Sequence, residues 1–131
     1  MGEEKRVEVE RWLAKADHDI RAARSSLKEN PPITDVACFL AQQCAEKSLK
    51  AFLVFNNIQP DKIHDLGKLV GQCGNLNDSF SSLIPMVAGM SQYAVQDRYP
   101  DDWREIMLDE AQEAVTKAEK VMAFVKGKIP V

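Results

Sequence analysis

The segment from Ala37 to Leu53 constrains the fold more than any other part of the chain. It contains no glycine or proline, and it reads as one uninterrupted helix. Its small residues recur at helical spacing: Ala37, Ala41, Cys44, Ala45 and Ser48. Small side chains along one face of a helix let a second helix approach closely. The segment is therefore predicted to be the central helix of a bundle.

Apolar residues spaced by three and four predict two further long helices. The first has the apolar positions Val9, Trp12, Leu13, Ala16, Ile20, Ala23 and Leu27, and Asn30-Pro31-Pro32 ends it. The last has the apolar positions Leu108, Ala111, Val115, Ala118, Met122 and Val125, and it closes at Gly127 and Pro130. The central helix is expected to start near Thr34, a candidate N-cap, and to end at Phe55.

The third region has a broken pattern. We expect a short helix from His64 to Cys73, terminated by Gly74. A longer helix capped by Asn77, Asp78 or Ser79 should run to about Gln96. Its predicted inward residues are Leu83, Met86, Val87, Met90 and Ala94. Pro85 lies inside this pattern and predicts a kink or a later start.

The predicted fold class is all-α. Sustained alternation of apolar and polar residues is missing, and so are Asn-Gly or Asp-Gly hairpin signals. The connections are short enough to make neighbouring helices antiparallel. We expect an antiparallel up-and-down four-helix bundle with a broken third helix, four to five helices in all, forming a single domain over residues 1–131.

Composition excludes several classes of function. The formal net charge of −3 argues against bulk binding to duplex nucleic acid, although a local basic pocket is compatible with it. The N-terminus lacks the apolar core of a signal peptide, and no apolar run approaches the ~18 residues of a membrane span. A protein without membrane association, located in the cytoplasm, is expected. The three cysteines predict reduced, buried thiols, and no metal or cofactor motif is visible.

Two short motifs are candidate sites. His64-Asp65-Leu66 opens a helix, so Asp65 can cap it and His64 can bond locally, or the pair can bind a phosphate or a nucleotide base. Arg98-Tyr99-Pro100-Asp101 follows the third helix. It is either a structural corner or a nucleotide-contacting set with a phosphate donor, a stacking ring and an acceptor.

Two other polar groups favour structural roles. Asp17-His18-Asp19 resembles a metal cluster only in composition, because adjacent residues on a helix point about 100° apart. It is read as a solvated face. Lys47 and Lys50 are expected on the polar side of the central helix, where a lysine is ordinarily solvated or ion-paired. Glu46 and Lys50 have the i,i+4 spacing of a helix ion pair.

Several of these segments together resemble the HEPN family (higher eukaryotes and prokaryotes nucleotide-binding). They are Trp12 with A-x-H-D-I-x-x-A, then A-C-F-L-A-Q-Q-C-A-E-K-S-L-K-A, His64-Asp65-Leu66, Arg98-Tyr99-Pro100-Asp101 and the last helix from Glu110 to Ala118. The resemblance implies a helical bundle that commonly forms a homodimer. It also implies a minimal nucleotidyltransferase as partner, in a two-component system of toxin–antitoxin type.

Many toxins of this family are metal-independent RNases with an Arg, four to six intervening residues and then a His. After Arg98 the corresponding positions hold Trp103, Arg104 and Glu105, and no His follows His64. Arg11 and His18 satisfy the spacing, but they lie on the first helix, away from the family's active site. In this respect the sequence departs from the family pattern: it lacks the acid–base His of the family RNases.

We thus expect a non-catalytic HEPN-domain protein that binds a nucleotide or polynucleotide such as RNA. The candidate ligand residues are Lys47, His64, Asp65, Arg98, Tyr99 and Asp101. Arg98 would hold phosphate, Tyr99 would stack or hydrogen-bond, and Asp101 would accept from base or sugar. The alternatives are an RNase toxin with a degenerate motif and a pure protein-interaction module. Adenylylation of Tyr99 by the partner enzyme is a further hypothesis from the resemblance.

Overall fold

The computed structural model describes residues 1–94 and 104–130, and over these residues the protein is helical without any β-strand. The α-helices are α1 (Glu3–Leu27), α2 (Thr34–Phe55), α3 (Leu66–Leu76), α4 (Ile84–Val87) and α5 (Leu108–Lys128). Two 3₁₀ segments flank α4, at Asp78–Leu83 and Met90–Ala94. The predicted all-α bundle with a broken third region is confirmed.

Helix α2 is the centre of the bundle, as its small residues predict. It packs against α1, α3, α5 and the second 3₁₀ segment. Its small residues Ala37, Ala41, Cys44, Ala45 and Ser48 are fully buried. The close approach of α1 and α5 to this helix depends on those short side chains.

Contacts between side chains fix the direction of the long helices. Lys5 near the start of α1 donates to Asn57 just after α2, at 3.3 Å, so α1 and α2 are antiparallel. The Thr34 hydroxyl at the start of α2 donates to the carbonyl of Ile106, just before α5, at 2.6 Å. Helices α2 and α5 therefore run parallel, on the second and last passes of an up-and-down bundle. The predicted N-cap role of Thr34 is wrong, because Thr34 is the first residue of α2 and Ile33 precedes it as the N-cap residue. The Thr34 hydroxyl makes the tertiary contact to Ile106.

The apolar stripes of α1 and α5 face the core. Val9, Leu13, Ala16, Ile20 and Ala23 of α1 are buried, and Trp12 and Leu27 pack against the core at its edge. On α5 the predicted stripe from Ala111 to Val125 is buried, but Leu108 remains 40% exposed. The prediction for Leu108 is wrong because it is the first residue of α5, at the end of the packed stripe.

The third region differs from prediction in its details. Helix α3 starts after Asp65 and passes through Gly74 to Leu76, so the predicted stop at Gly74 is wrong. The following residues form short 3₁₀ and α segments instead of one long helix. Pro85 lies in the first turn of α4, where a missing N–H costs nothing. Gly89 follows α4 with φ of +81°, a conformation that favours glycine.

Aromatic stacking anchors this irregular region. Phe80 of the first 3₁₀ segment is fully buried. Its ring centroid lies 4.3 Å from that of Phe52 on α2 and 5.0 Å from that of Phe124 on α5. These rings join the third region to the two parallel helices, which compensates for its lack of a long helix. In the described part of the chain, no helix has the length and apolar character of a membrane span.

Replacing a small residue on α2 should destabilise the fold. Ala41→Leu adds volume to a fully buried position, and overpacking there should lower the free energy of unfolding by about 1–3 kcal/mol in urea denaturation. Ala14→Leu makes the same change on the exposed face of α1 and should alter it by less than about 0.5 kcal/mol. Equal effects of the two substitutions would show that the α2 stripe does not limit packing.

Candidate functional site

The predicted ligand residues fall into two groups. Arg98, Tyr99 and Asp101 lie outside the described residues. Lys47, His64 and Asp65 are described, and the structure brings only the last two together. Lys47 points toward α1, whereas His64 and Asp65 lie at the start of α3.

Lys47 is the partner of a buried carboxylate. Its Nζ lies 2.5 Å from Oδ2 of Asp19, and the Lys47 side chain is only 22% exposed. Asp19 is buried, so reading Asp17-His18-Asp19 as a wholly solvated face is wrong. His18 beside it is 81% exposed. The ion pair ties α1 to α2, which gives Lys47 a structural role.

A polar cluster built around Glu46 lies between α2 and the start of α3. Glu46 is only 4% exposed, yet its carboxylate has three side-chain partners. Lys50 Nζ donates to Oε2 at 2.9 Å, Gln42 Nε2 donates to Oε1 at 3.1 Å, and His64 Nδ1 lies 3.0 Å from Oε1. Burial raises the pKa of Glu46, but the hydrogen bonds from Lys50, His64 and Gln42 outweigh it and leave that pKa lowered.

The predicted Glu46–Lys50 pair is present but is not on a solvated face. Lys50 is also buried, with its Nζ 5.9 Å from the centroid of the Trp12 ring. The ion-paired state predicted for Lys50 is therefore confirmed, but the pair is buried and does not lie on a polar outer side of the helix. A buried ammonium group next to a buried carboxylate is stable only while both partners remain.

The segment that carries His64 is held by three consecutive residues. The carbonyl of His64 accepts from Gln42 Nε2 at 3.1 Å. The Asp65 side chain caps α3 by accepting from the backbone N–H of Lys68 at 3.2 Å, which confirms its predicted capping role. The backbone N–H of Leu66 donates to Ser91 Oγ at 3.0 Å. The backbone is thus fixed at His64 and directly after it, whereas the imidazole itself is 63% exposed.

A second cluster surrounds Glu110 in the first turn of α5. Arg104 donates from both terminal nitrogens to the two carboxylate oxygens of Glu110, at 2.9 and 2.7 Å. Tyr93 of the second 3₁₀ segment donates its hydroxyl to the same carboxylate. Arg104 also reaches Gln92 Oε1 at 3.0 Å. One carboxylate therefore joins the start of α5 to the end of the third region.

The protonation states of this cluster follow from its hydrogen bonds. Donation from Arg104 and then from Tyr93 lowers the pKa of Glu110 to about 2. Burial and the hydrogen bond to Glu110 raise the pKa of Tyr93. The hydrogen bond to Glu110 likewise raises the pKa of Arg104. At neutral pH the cluster is a fixed carboxylate, a fixed guanidinium and a neutral phenol.

A cleft of about 340 Å³ opens beside this second cluster. Tyr93, Arg104 and Glu110 line one part of it, and Glu113 and Lys117 of α5 line another. Lys117 pairs with Glu113 at 3.2 Å, so two cations in the lining are matched by two carboxylates. Such a balanced lining favours neutral polar groups over a free anion.

A single row of α2 residues connects the two clusters. Cys38, Gln42, Glu46 and Lys50 are spaced by four, so they lie along one face of the helix. Cys38 lies beside Tyr93, and burial raises the pKa of its thiol to about 11. Gln42 and Glu46 contact His64. The polar row therefore runs from the Tyr93–Arg104–Glu110 cluster to the His64–Glu46 cluster.

Sequence reasoning missed the central residues of both clusters. The i,i+4 spacing predicts the pair of Glu46 with Lys50, but nothing in the spacing shows that His64 joins them from another segment. Tyr93 and Glu110 fall within predicted helices, and the helical pattern does not distinguish them from other polar positions. The one sequence signal for the second cluster is the position of Arg104, where RNases of the family that the sequence resembles carry a His. Among the described residues, no group of three or more His, Cys, Asp or Glu is arranged to hold a metal ion.

Comparison with known proteins identifies this arrangement as a HEPN domain. The family model described as HEPN domain matches residues 9–128, and the chain belongs to that family. The chain is 26% identical over 129 residues to the protein named "Putative toxin MJ1304" from Methanocaldococcus jannaschii, covering 88% of this chain and 84% of that protein.

Two solved structures are similar over nearly the whole chain. TT1696 from Thermus thermophilus has a TM-score of 0.80 and 30% identity, covering 92% of this chain and 98% of that one. ST0689, described as an archaeal HEPN homologue, has a TM-score of 0.71 and 28% identity, covering 92% of this chain and 96% of the other.

Breaking the buried ion pair from one side should be more damaging than removing it. Glu46→Met leaves the Lys50 ammonium buried without its carboxylate and should lower the free energy of unfolding by about 3–5 kcal/mol. The double variant Glu46→Met/Lys50→Met removes both charges and should be more stable than the single one. Glu113→Met, which breaks the exposed i,i+4 pair with Lys117, should cost about 0.3–0.5 kcal/mol in the same urea titration.

The stability provided by Glu110 should depend on pH. Its folded-state pKa of about 2 lies below its ordinary value of 4.5, so its contribution is present above pH 4.5 and declines as pH falls toward 2. Wild type should therefore exceed Glu110→Gln in free energy of unfolding at neutral pH, and the difference should shrink across that range. Urea denaturation over a pH series measures it, and a pH-independent difference would contradict the assignment.

Proposed function

We propose that this protein is a non-catalytic HEPN-domain protein that binds a nucleotide or polynucleotide. We further propose that it forms a homodimer and pairs with a minimal nucleotidyltransferase in a toxin–antitoxin-type system. A HEPN fold alone does not define the function, since one fold can host several functions. The similarity to a protein named as a toxin supports the toxin–antitoxin type of system.

The pairing of Arg104 with Glu110 is the observation that carries the non-catalytic assignment. Arg104 is five intervening residues after Arg98, within the spacing at which the resembling RNases place their His. A general acid–base group must release and regain a proton near neutral pH. A guanidinium keeps its proton at neutral pH, and the bidentate contact to Glu110 raises the pKa of Arg104 further, so this position holds a permanent cation.

The ligand residues of the proposal divide by what they contact. Lys47 is engaged by Asp19 and Asp65 by the backbone of Lys68, so both already have structural partners. His64 keeps an exposed ring on a fixed backbone. We therefore place ligand contact at His64, and on sequence grounds at Arg98, Tyr99 and Asp101.

Titration with ATP and GTP tests the binding function. Wild type should bind at least one of them, and Arg98→Ala should weaken that binding by about tenfold to a hundredfold, since a charge-assisted hydrogen bond to phosphate contributes about 1.5–3 kcal/mol. Arg11→Ala, which removes an exposed arginine of α1, is the matched control and should bind like wild type. Equal affinity of wild type and Arg98→Ala would reject the assignment of Arg98.

A metal-free incubation with tRNA and total RNA separates this proposal from the RNase alternative. Wild type should leave both substrates intact. Cleavage that Arg98→Ala abolishes would show instead an RNase with an unconventional acid–base partner. Binding of neither ATP, GTP nor RNA, together with co-purification of a nucleotidyltransferase, would favour a pure interaction module. A nucleotide-sized mass increase after co-expression would show modification of the chain, with Tyr99 as the expected position.

A further inference from the structure

The imidazole of His64 is hydrogen-bonded to the Glu46 carboxylate, which already has two other side-chain partners. Glu46 is already neutralised by Lys50 at 2.9 Å and hydrogen-bonded by Gln42 at 3.1 Å. The packing of α2 therefore accounts for the buried ion pair without His64. The third partner is an imidazole that remains 63% exposed, and burial does not explain its position.

The geometry selects one tautomer of this ring. Nδ1 lies 3.0 Å from Oε1 of Glu46, an oxygen that can only accept. The hydrogen of a neutral imidazole must therefore be on Nδ1, and the lone pair is on Nε2 at the opposite edge. No hydrogen bond from a described residue reaches Nε2. A carboxylate that orients a histidine in this way fixes which nitrogen meets a ligand.

The backbone contacts make this orientation rigid. Gln42 donates both to Glu46 and to the carbonyl of His64, so one amide fixes the carboxylate and the histidine together. The capping of α3 by Asp65 and the bond from Leu66 to Ser91 hold the next two residues. A side chain whose orientation is fixed before binding loses less entropy when the ligand arrives.

We propose that His64, positioned by Glu46, contacts the sugar or base of a bound nucleotide and not its phosphates. An Nε2 lone pair accepts a hydrogen bond from a hydroxyl or amino group and repels phosphate oxygens. Ribose hydroxyls, exocyclic base amines and the ring N–H groups of guanine and uracil are the donors a nucleotide offers. This inference rests on the proposed nucleotide-binding function and assigns His64 a specific part in it.

Nuclear magnetic resonance of ¹⁵N-labelled imidazoles tests the positioning without any ligand. The chain has two histidines, and exposed His18 is an internal reference because its Nδ1 is 4.0 Å from the nearest Asp19 oxygen. At mildly alkaline pH, His64 should show the Nδ1–H pattern and His18 mainly the Nε2–H pattern. Glu46→Met/Lys50→Met should shift His64 toward the His18 pattern, with circular dichroism confirming the fold. An Nε2–H pattern for His64 in wild type would overturn the positioning by Glu46.

Binding measurements then test the contact itself. His64→Ala should weaken ATP binding by about threefold to tenfold, the usual contribution of one hydrogen bond, and leave inorganic tripolyphosphate binding unchanged. His18→Ala should change neither. The dideoxy analogue of ATP separates the two donors: a ribose contact makes its binding insensitive to His64→Ala, whereas a base contact leaves it as sensitive as ATP.

The possible failures are distinguishable. An equal loss of tripolyphosphate binding in His64→Ala would show a phosphate contact and overturn the inference. Unchanged ATP binding by that variant would overturn it as well, while leaving the proposed function intact. If wild type binds no nucleotide, the proposed function and the ligand contact both fail, and the tautomer measurement still decides whether Glu46 positions the ring.

Discussion

The close packing of neighbouring helices against α2 is the constraint on which the structure depends. Fully buried alanine, cysteine and serine side chains line this helix, so its neighbours pack against backbone and short side chains. A central helix contacted by several elements has almost no free surface. Polar residues on its buried faces must find their partners inside the protein, and this requirement produces the buried Gln42, Glu46 and Lys50 cluster.

The row of Cys38, Gln42, Glu46 and Lys50 on α2 also holds the irregular third region in place. Hydrogen bonds from α2 side chains reach the start of α3, and Cys38 one turn earlier lies beside Tyr93. The irregular third region, which lacks a long helix of its own, is thereby held at two points along α2. Both exposed polar features, the His64 ring and the cleft beside Arg104, lie where this region meets the regular helices.

The sequence predicted the fold better than the site because the two depend on different information. Helical spacing places Val9, Ile20 or Val125 in the core, since any inward position of a long helix meets neighbouring helices. It misplaced Leu108 and Asp19, whose environments depend on where a helix ends and on which residue of another helix faces it. Glu46 shows the same limit: i,i+4 spacing gives Lys50, whereas His64 comes from a separate segment. Such contacts between segments carry no local signal.

Arg104 and His64 together explain how a HEPN domain can keep a polar site without the acid–base pair of the family RNases. At the position of the expected histidine, Glu110 holds a guanidinium that cannot exchange its proton near neutral pH. Of the two histidines in the sequence, His18 is exposed on α1 and His64 lies at the start of α3, where its Nδ1 is hydrogen-bonded to the buried carboxylate of Glu46. One cluster is therefore electrostatically fixed, and the other presents a single oriented acceptor. On this chemistry rests our proposal that the domain recognises a ligand and does not cleave one.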